Sequence, residues 1–245
     1  MNDKWMSLMS KAIVILLAVI FSGEILALNI PSSQRSSRAM ERVTPVLKME
    51  LSKKGLDLGS PIFMRIFKKT GELEVWVGNK KGIFSHFKTY NICTFSGDLG
   101  PKQKTGDEQA PEGFYFVNLG RLNPWSSYHL SFNLGYPNKY DRAHKRTGGA
   151  LMVHGNCVSI GCYAMTNKFI EEIYTLAHHA LVKGQPFYRV HVFPFRLTDN
   201  NLKEYEENRW YGFWQNLKEG YDFFEEKKVP PNVEVRNLKY IFNDS

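Results

Sequence analysis

The sequence predicts a mainly β protein with helices (α+β), and three observations make that prediction. Aromatic and β-branched runs punctuated by glycine recur between residues 61 and 193, one amphipathic stretch follows Asn167, and an aromatic tail runs from Asp199 to Lys228 amid charges. Ile62 to Phe67, Leu73 to Val77 and Ile83 to Cys93 read as antiparallel strands, separated by Gly71, Gly78-Asn79 and Gly82. Gly113 to Val117, Tyr128 to Leu134, Ala150 to His154 and Tyr188 to Phe193 continue the pattern, with turns at Gly97, Gly100-Pro101, Asn123-Pro124 and Gly148-Gly149. Asn167 is expected to cap a helix whose apolar face is Phe169, Ile170, Ile173, Tyr174, Ala177, Ala180 and Leu181, ending at Gly184. Leu202, Tyr205, Trp210, Phe213, Trp214, Leu217, Tyr221 and Phe224 predict helices laid over the domain and stopped by Pro230-Pro231. Ahead of the sheet, Val43, Val46, Leu47 and Leu51 predict a short helix up to Gly55, restricted at its start by Pro45. Polar, Ser/Arg-rich Ser32 to Arg38 reads as a flexible spacer.

The N-terminus has the order of a secretory signal peptide: Lys4 and Lys11, the apolar run Ala12 to Phe21, then Ser22, Gly23 and Ala27. The run falls short of the roughly 20 apolar residues a bilayer span needs, so export to the periplasm is the first reading and an inner-membrane signal anchor the alternative. The expected organisation is therefore a signal peptide over 1–27, a linker and short helix over 28–58, a catalytic domain over 59–195 and a helical, aromatic extension over 196–245.

Lys and Arg number 32 against 24 Asp and Glu, a formal charge of +8. Asp3, Lys4, Lys11 and Glu24 cancel, so the charge belongs to the exported part and favours an anionic partner. Nucleic acid is not expected, because the basic residues are scattered and no nucleic-acid-binding motif accompanies them.

Cys93, Cys157 and Cys162 leave at least one thiol outside any intramolecular disulfide. Cys162 stands out, since an apolar strand delivers His154 eight residues earlier and Gly161 precedes the sulfur. An ordinary thiol is only a few per cent thiolate at neutral pH, so a neighbouring imidazole that takes its proton makes it a nucleophile. Gly155 and Gly161 let the backbone turn closely, Ser159 is expected to orient the imidazole or brace the loop, and backbone amides at Cys162 and Tyr163 are candidates for an oxyanion site. His154, Cys157 and Cys162 are also zinc ligand types, but no CxxC or HExxH spacing accompanies them, and no metal or cofactor is expected. Cys93 and Cys157 are open to pairing with each other, to a Cys157–Cys162 bridge, or to remaining as thiols. His178-His179 and His191 take solvent or core roles by default.

The segment His154-Gly-Asn-Cys-Val-Ser-Ile-Gly-Cys162 resembles the active-site signature of the L,D-transpeptidase (YkuD-type) catalytic domain, in which HG is followed by S-x-G-C. Gly100 to Tyr115 is similar to the family's glycine-rich lysine segment, with Ala110 in place of the usual Thr. Tyr140 to His144, Gly184-Gln-Pro186, Pro194-Phe-Arg196 and Phe213-Trp214 to Phe224 extend the likeness to the YafK/DpaA-like subgroup, over roughly residues 59 to 231. The resemblance implies a β-sandwich-like catalytic domain, Cys162 as nucleophile, His154 as base, and diaminopimelate-containing stem peptides of peptidoglycan as substrate. Ile160 stands where typical members carry a second His, and Ala164 where they carry an Arg able to pin a carboxylate. The subgroup resemblance implies hydrolysis of the amide joining diaminopimelate to the C-terminal lysine of an outer-membrane lipoprotein, without metal or cofactor. Cross-linking transpeptidation, or attachment of protein to the wall, is the alternative. A non-catalytic wall-binding module is a third reading. Tyr140, Arg142, His144 and Arg146 are candidates for shaping the substrate groove, each with a structural role as its counterpart.

Overall fold

A computed structural model describes residues 30–244, so the signal-peptide reading of 1–27 lies outside the described residues. The helix α1 (Gln34–Ser52) opens on a reciprocal cap: Ser33 Oγ accepts from the Ser36 amide at 3.1 Å and Ser36 Oγ from the Ser33 amide at 2.9 Å. Its buried stripe of Ser36, Ala39, Val43, Leu47 and Leu51 begins inside the stretch expected as a spacer. That expectation is corrected: satisfied N-terminal amides and an apolar face reaching back to Ala39 make Gln34 to Arg38 helical.

The strands β1 (Ile62–Phe67), β2 (Glu72–Gly78), β3 (Phe84–Asn91) and β4 (Gly113–Val117) lead to the short β5 (Leu122–Asn123) and β6 (Ser131–Asn133). The helix α2 (Lys139–Ala143), β7 (Met152–His154), β8 (Tyr163–Ala164), α3 (Asn167–Val182) and β9 (Tyr188–Phe193) follow. The helices α4 (Asp199–Lys203) and α5 (Tyr211–Lys227) and the strands β10 (Asn232–Arg236) and β11 (Lys239–Asn243) complete the order. A five-stranded sheet runs β3-β2-β1-β9-β4 and a four-stranded sheet β5-β6-β7-β8, so the α+β expectation holds.

The strands are not all antiparallel, as the sequence reading had them: β1 pairs parallel with β9, and β7 parallel with β8. Strand direction depends on how the chain returns, and α3 carries it back to lay β9 beside β1. Thr166, not Asn167, caps α3, its hydroxyl accepting from the Phe169 amide at 3.2 Å. The β10–β11 hairpin has no sequence-based counterpart. Its turn puts Asn237 and Leu238 in left-handed conformations, and Asn-Leu lacks the glycine that usually marks such a turn.

All six residues of β1 are buried, because both faces of the five-stranded sheet are covered. Ile62, Met64 and Ile66 join the core shared with α1 and α3, while Phe67 joins Phe193, Trp214 and Tyr221 under α5. The aromatic tail therefore serves as the sheet's second roof. Where the two regions meet, Lys68 and Glu112 form an ion pair at 3.2 Å with both side chains fully buried. Lys68 Nζ also donates to the carbonyls of Asp98 (2.6 Å), Gly100 (2.8 Å) and Ala110 (3.2 Å). Glu112 accepts from the Gly100 amide at 2.7 Å and from Trp214 Nε1 at 2.8 Å. The pair thus anchors the 96–112 loop to the sheet and to α5.

Removing one partner strands a buried charge. Lys68→Met is expected to cost about 3–5 kcal/mol in urea unfolding, with part of the loss recovered by Lys68→Met/Glu112→Gln.

Candidate active site

The residues singled out around Cys162 come together at the β7–β8 junction. In the parallel register Val153 faces Tyr163 and His154 faces Ala164, so Cys162, one residue before β8, comes beside Met152. Its sulfur accepts from the Met152 amide at 3.4 Å and contacts the Ala150 carbonyl at 3.8 Å. Side chains two apart on a strand share a face, so His154 and Cys162 emerge on the same side of adjoining strands. Cys162 is a free thiol, while Cys93 and Cys157 form a disulfide.

The loop from 155 to 161 turns tightly to make two such short strands parallel, with Asn156, Cys157 and Gly161 at positive φ. It is fastened along its length. The Gly155 amide donates to the Tyr128 carbonyl at 2.9 Å, the Asn156 amide to Asn167 Oδ1 at 2.9 Å, and the Cys157 amide to the Met165 carbonyl at 3.2 Å. The Gly161 amide donates to Ser96 Oγ, and Ser159 Oγ donates to the Cys162 carbonyl at 2.7 Å. Of the two roles expected of Ser159, its observed bond is the loop brace. The disulfide ties the same loop to Cys93, whose amide bonds the Ala164 carbonyl at 2.8 Å.

The His154 ring bonds through Nδ1 to the Gly155 carbonyl at 2.6 Å. A carbonyl only accepts, so Nδ1 carries the hydrogen and Nε2 keeps its lone pair. The Tyr128 ring lies over the imidazole at 4.7 Å between centroids. Gly155 itself has no room for a side chain: a Cβ would stand 2.6 Å from Asn167 Oδ1 and 3.0 Å from Ile170 Cγ2.

The L,D-transpeptidase catalytic domain model matches residues 61–192. The chain is 48% identical over 185 residues to the putative L,D-transpeptidase YafK of Escherichia coli strain K12, covering 75% of this chain and 74% of that protein. The chain belongs to the L,D-transpeptidase (YkuD-type) family. The same identity and coverage hold for the protein of that name from Escherichia coli O157:H7. Among solved structures it is similar to the helical cell shape determining protein Pgp2 of Campylobacter jejuni. That likeness has a TM-score of 0.44 and 18% identity, over 78% of this chain and 80% of that one. Bd1075 of Bdellovibrio bacteriovorus is similar at a TM-score of 0.39 and 15% identity, over 73% and 78% of the two chains. Both structural likenesses are too distant to carry a functional assignment.

Three of the four groove candidates, Tyr140, His144 and Arg146, lie against the C-terminal extension. Tyr140 stacks on Tyr240 and on His144, each at 4.2 Å, and His144 Nε2 donates to the Leu238 carbonyl at 2.9 Å. Arg146 is buried, donates to Asp141 Oδ1 at 2.8 Å and lies over the rings of Tyr140 and Phe213. Exposed Arg142 bonds the Pro137 carbonyl. The contacts of Tyr140, His144 and Arg146 join the α2 region to the extension, while that of Arg142 stays within the α2 region. His191 is enclosed between Phe63 and Phe114, each 4.6 Å from its ring.

The sequence reading missed several residues that meet the site: Ser96, Tyr128, Asn167 in its side-chain role, and Lys102. The Gly100 to Tyr115 block was the available signal for Lys102. Its ammonium bonds the Lys104 carbonyl at 2.9 Å and Asp107. Against the upward pull of burial, the Lys102 bond and the amides of Lys104, Gln103 and Gln109 hold Asp107 down to about 2. Burial pushes the Cys162 thiol upward, opposed by the Met152 amide and the Lys102 charge. Burial pushes His154 downward, opposed by the Gly155 carbonyl. Both groups therefore rest neutral, a thiol and, on the same face of the adjoining strand, an imidazole with Nε2 free to accept a proton.

Two outcomes follow from this geometry. Alkylation of the free protein by iodoacetamide is expected to rise through a midpoint above the ordinary thiol value of 9.0, and Lys102→Ala is expected to move it further up. The acid limb of kcat/KM is expected below the ordinary imidazole value of 6.5, because a lowered pKa keeps His154 unprotonated to more acidic pH. Separately, Gly155→Ala is expected to cost about 1–3 kcal/mol in urea unfolding and to lower turnover with it.

Proposed function

We propose that this L,D-transpeptidase family enzyme hydrolyses, in the periplasm, the amide between meso-diaminopimelate of a peptidoglycan stem peptide and the C-terminal lysine of an outer-membrane lipoprotein. The observation that carries the proposal is a free, partly exposed thiol on the strand edge next to a histidine whose Nδ1 is already committed to a carbonyl. In this mechanism the proton of Cys162 passes to His154 Nε2 as the sulfur attacks the diaminopimelyl carbonyl. The backbone amide of Cys162 receives the developing oxyanion, aimed by the turn at Gly161, whereas Tyr163, named with it from the sequence, is buried in the β7–β8 pairing. The tetrahedral adduct then collapses, its C–N bond breaks, and His154 returns the proton to the departing lysine amine. Water attacks the thioester with His154 as base, releasing the carboxylate and restoring the thiol.

Water is favoured as the second nucleophile by the subgroup likeness and by Ile160, which is 77% exposed where typical members have a second His. Ala164, buried in β8, replaces their Arg, so no guanidinium at that position pins the carboxylate of an incoming acyl acceptor. Among the described residues no helix is long and apolar enough to cross a membrane.

Incubation with lipoprotein-linked muropeptides is expected to yield free tripeptide stems and lipoprotein ending in lysine, read by mass. Dimeric stems as the sole product would establish transpeptidation instead. Cys162→Ser and His154→Ala are each expected to cut turnover by on the order of 100-fold or more with the fold retained, the unfolding midpoint unchanged in Cys162→Ser and lowered in His154→Ala by the lost burial. Near-normal rates in either variant would remove the proposed roles, whereas no turnover of any wall fragment, with the biological effect intact in Cys162→Ala, would favour a binding module.

A further inference from the structure

We propose that α1 and the Trp125 loop form an anion subsite beside the candidate dyad, which takes a free carboxylate of the wall peptide. It rests on the reading above only for the identity of that peptide. The helix carries Arg35, Arg38 and Arg42 at spacings of three and four, which put them on one face. That face and the loop enclose a cleft of about 660 Å³, walled by these arginines together with Pro124, Trp125 and His129. No carboxylate lines it.

Two of the arginines are already engaged, and their engagement builds the cleft. Arg35 Nη1 donates to the carbonyls of Ser126 and His129, both at 2.7 Å, and Ser33 Oγ donates to the Pro124 carbonyl at 2.8 Å. Arg42 pairs with Glu171 at 2.7 Å, and Glu171 also bonds the His129 ring at 2.8 Å. The loop is thereby held to the helix from both ends. Arg38, exposed between them, has neither an ion pair nor a hydrogen bond among the described residues, so its guanidinium is available for a bidentate carboxylate contact. Trp125 is 65% exposed and supplies an apolar face for the carbon skeleton or sugar ring next to that carboxylate.

The same loop reaches the candidate chemistry. Three residues beyond Trp125, the Tyr128 ring covers His154 and its carbonyl holds the Gly155 amide. A peptide anchored on Arg38 would lie against a wall shared with the imidazole. The helix precedes the 61–192 family match, so the arginines of this subsite lie outside the matched segment while Trp125 lies within it.

The test uses the full chain with Cys162→Ala, titrated calorimetrically with a soluble disaccharide tetrapeptide and with the same muropeptide after amidation of its carboxylates. Arg38→Gln and amidation are each expected to weaken binding about 10-fold, the combination no further, and Arg38→Lys, which keeps the charge without the bidentate fork, to recover only part of the loss. Trp125→Ala is expected to weaken binding about 5-fold. With Cys162 intact, the rate of iodoacetamide alkylation is expected to be unchanged by Arg38→Gln. Equal affinities for parent and Arg38→Gln, or a loss by Arg38→Gln that persists for the amidated ligand, would overturn the subsite. So would Arg38-dependent binding to phosphatidylglycerol vesicles without muropeptide binding, which would make the face a membrane contact. Arg38-dependent binding of a muropeptide that the intact enzyme never cleaves would instead leave the subsite standing and remove the proposed reaction.

Discussion

The parallel pairing of β7 with β8 is the constraint on which the rest of the site depends. Two strands of three and two residues cannot hold a parallel register unaided, because their connection must double back within the loop from 155 to 161. The cost appears as left-handed backbone at Asn156 and Cys157 and as a Gly155 with no space for a Cβ. What offsets it is a dense set of ties: a disulfide to Cys93, side-chain acceptors from Asn167 and Ser96, and carbonyls of Tyr128 and Met165. The ties come from three parts of the chain, Cys93 with Ser96, Tyr128, and Met165 with Asn167, so the short pair is stable only within the finished fold.

Those ties define a hierarchy of support. Ser96 and Lys102 belong to the 96–112 loop, which the buried Lys68–Glu112 pair anchors and Trp214 of α5 braces. Asn167 begins α3, which packs against α1 in the main core. Tyr128 sits on the loop held by Ser33 and Arg35. The N-terminal helix and the C-terminal extension, both outside the matched family segment, thus each press on one side of the candidate site. This arrangement explains why groups near the sulfur are buried enough to rest neutral. Enclosure lowers the imidazole and raises the thiol, and a neutral pair is poised for proton transfer during attack.

The aromatic tail illustrates a second consequence of the same architecture. A sheet with one covered face needs one covering layer, but β1 and β9 are covered on both, the second face of β1 carrying Phe63 and Phe67 with Arg65 paired to Glu74. Phe67, Phe193 and Phe114 face α5 and the hairpin, and Tyr140 and Arg146 are drawn into that contact. Of the groove candidates, Tyr140 and His144 are bound by ring stacking and Arg146 by the Asp141 ion pair. Clustering in sequence placed them correctly with one another and gave no sign of which surface they meet.

The sequence by itself determined the residue chemistry and most of the local structure. The spacing of His154, Gly161 and Cys162 identified the candidate centre, and periodicity identified α3, α5 and the long strands, because these depend on side-chain type and pattern along one stretch of chain. Only the tertiary structure decided strand direction, the choice of Cys93 as partner for Cys157, the work of Asn167 as a loop anchor rather than a cap, and the meeting of α1 with the Trp125 loop. Each of these joins segments that no single helical or strand repeat spans, and a short-range pattern carries no record of which carbonyl, thiol or ring the folded chain will bring to it.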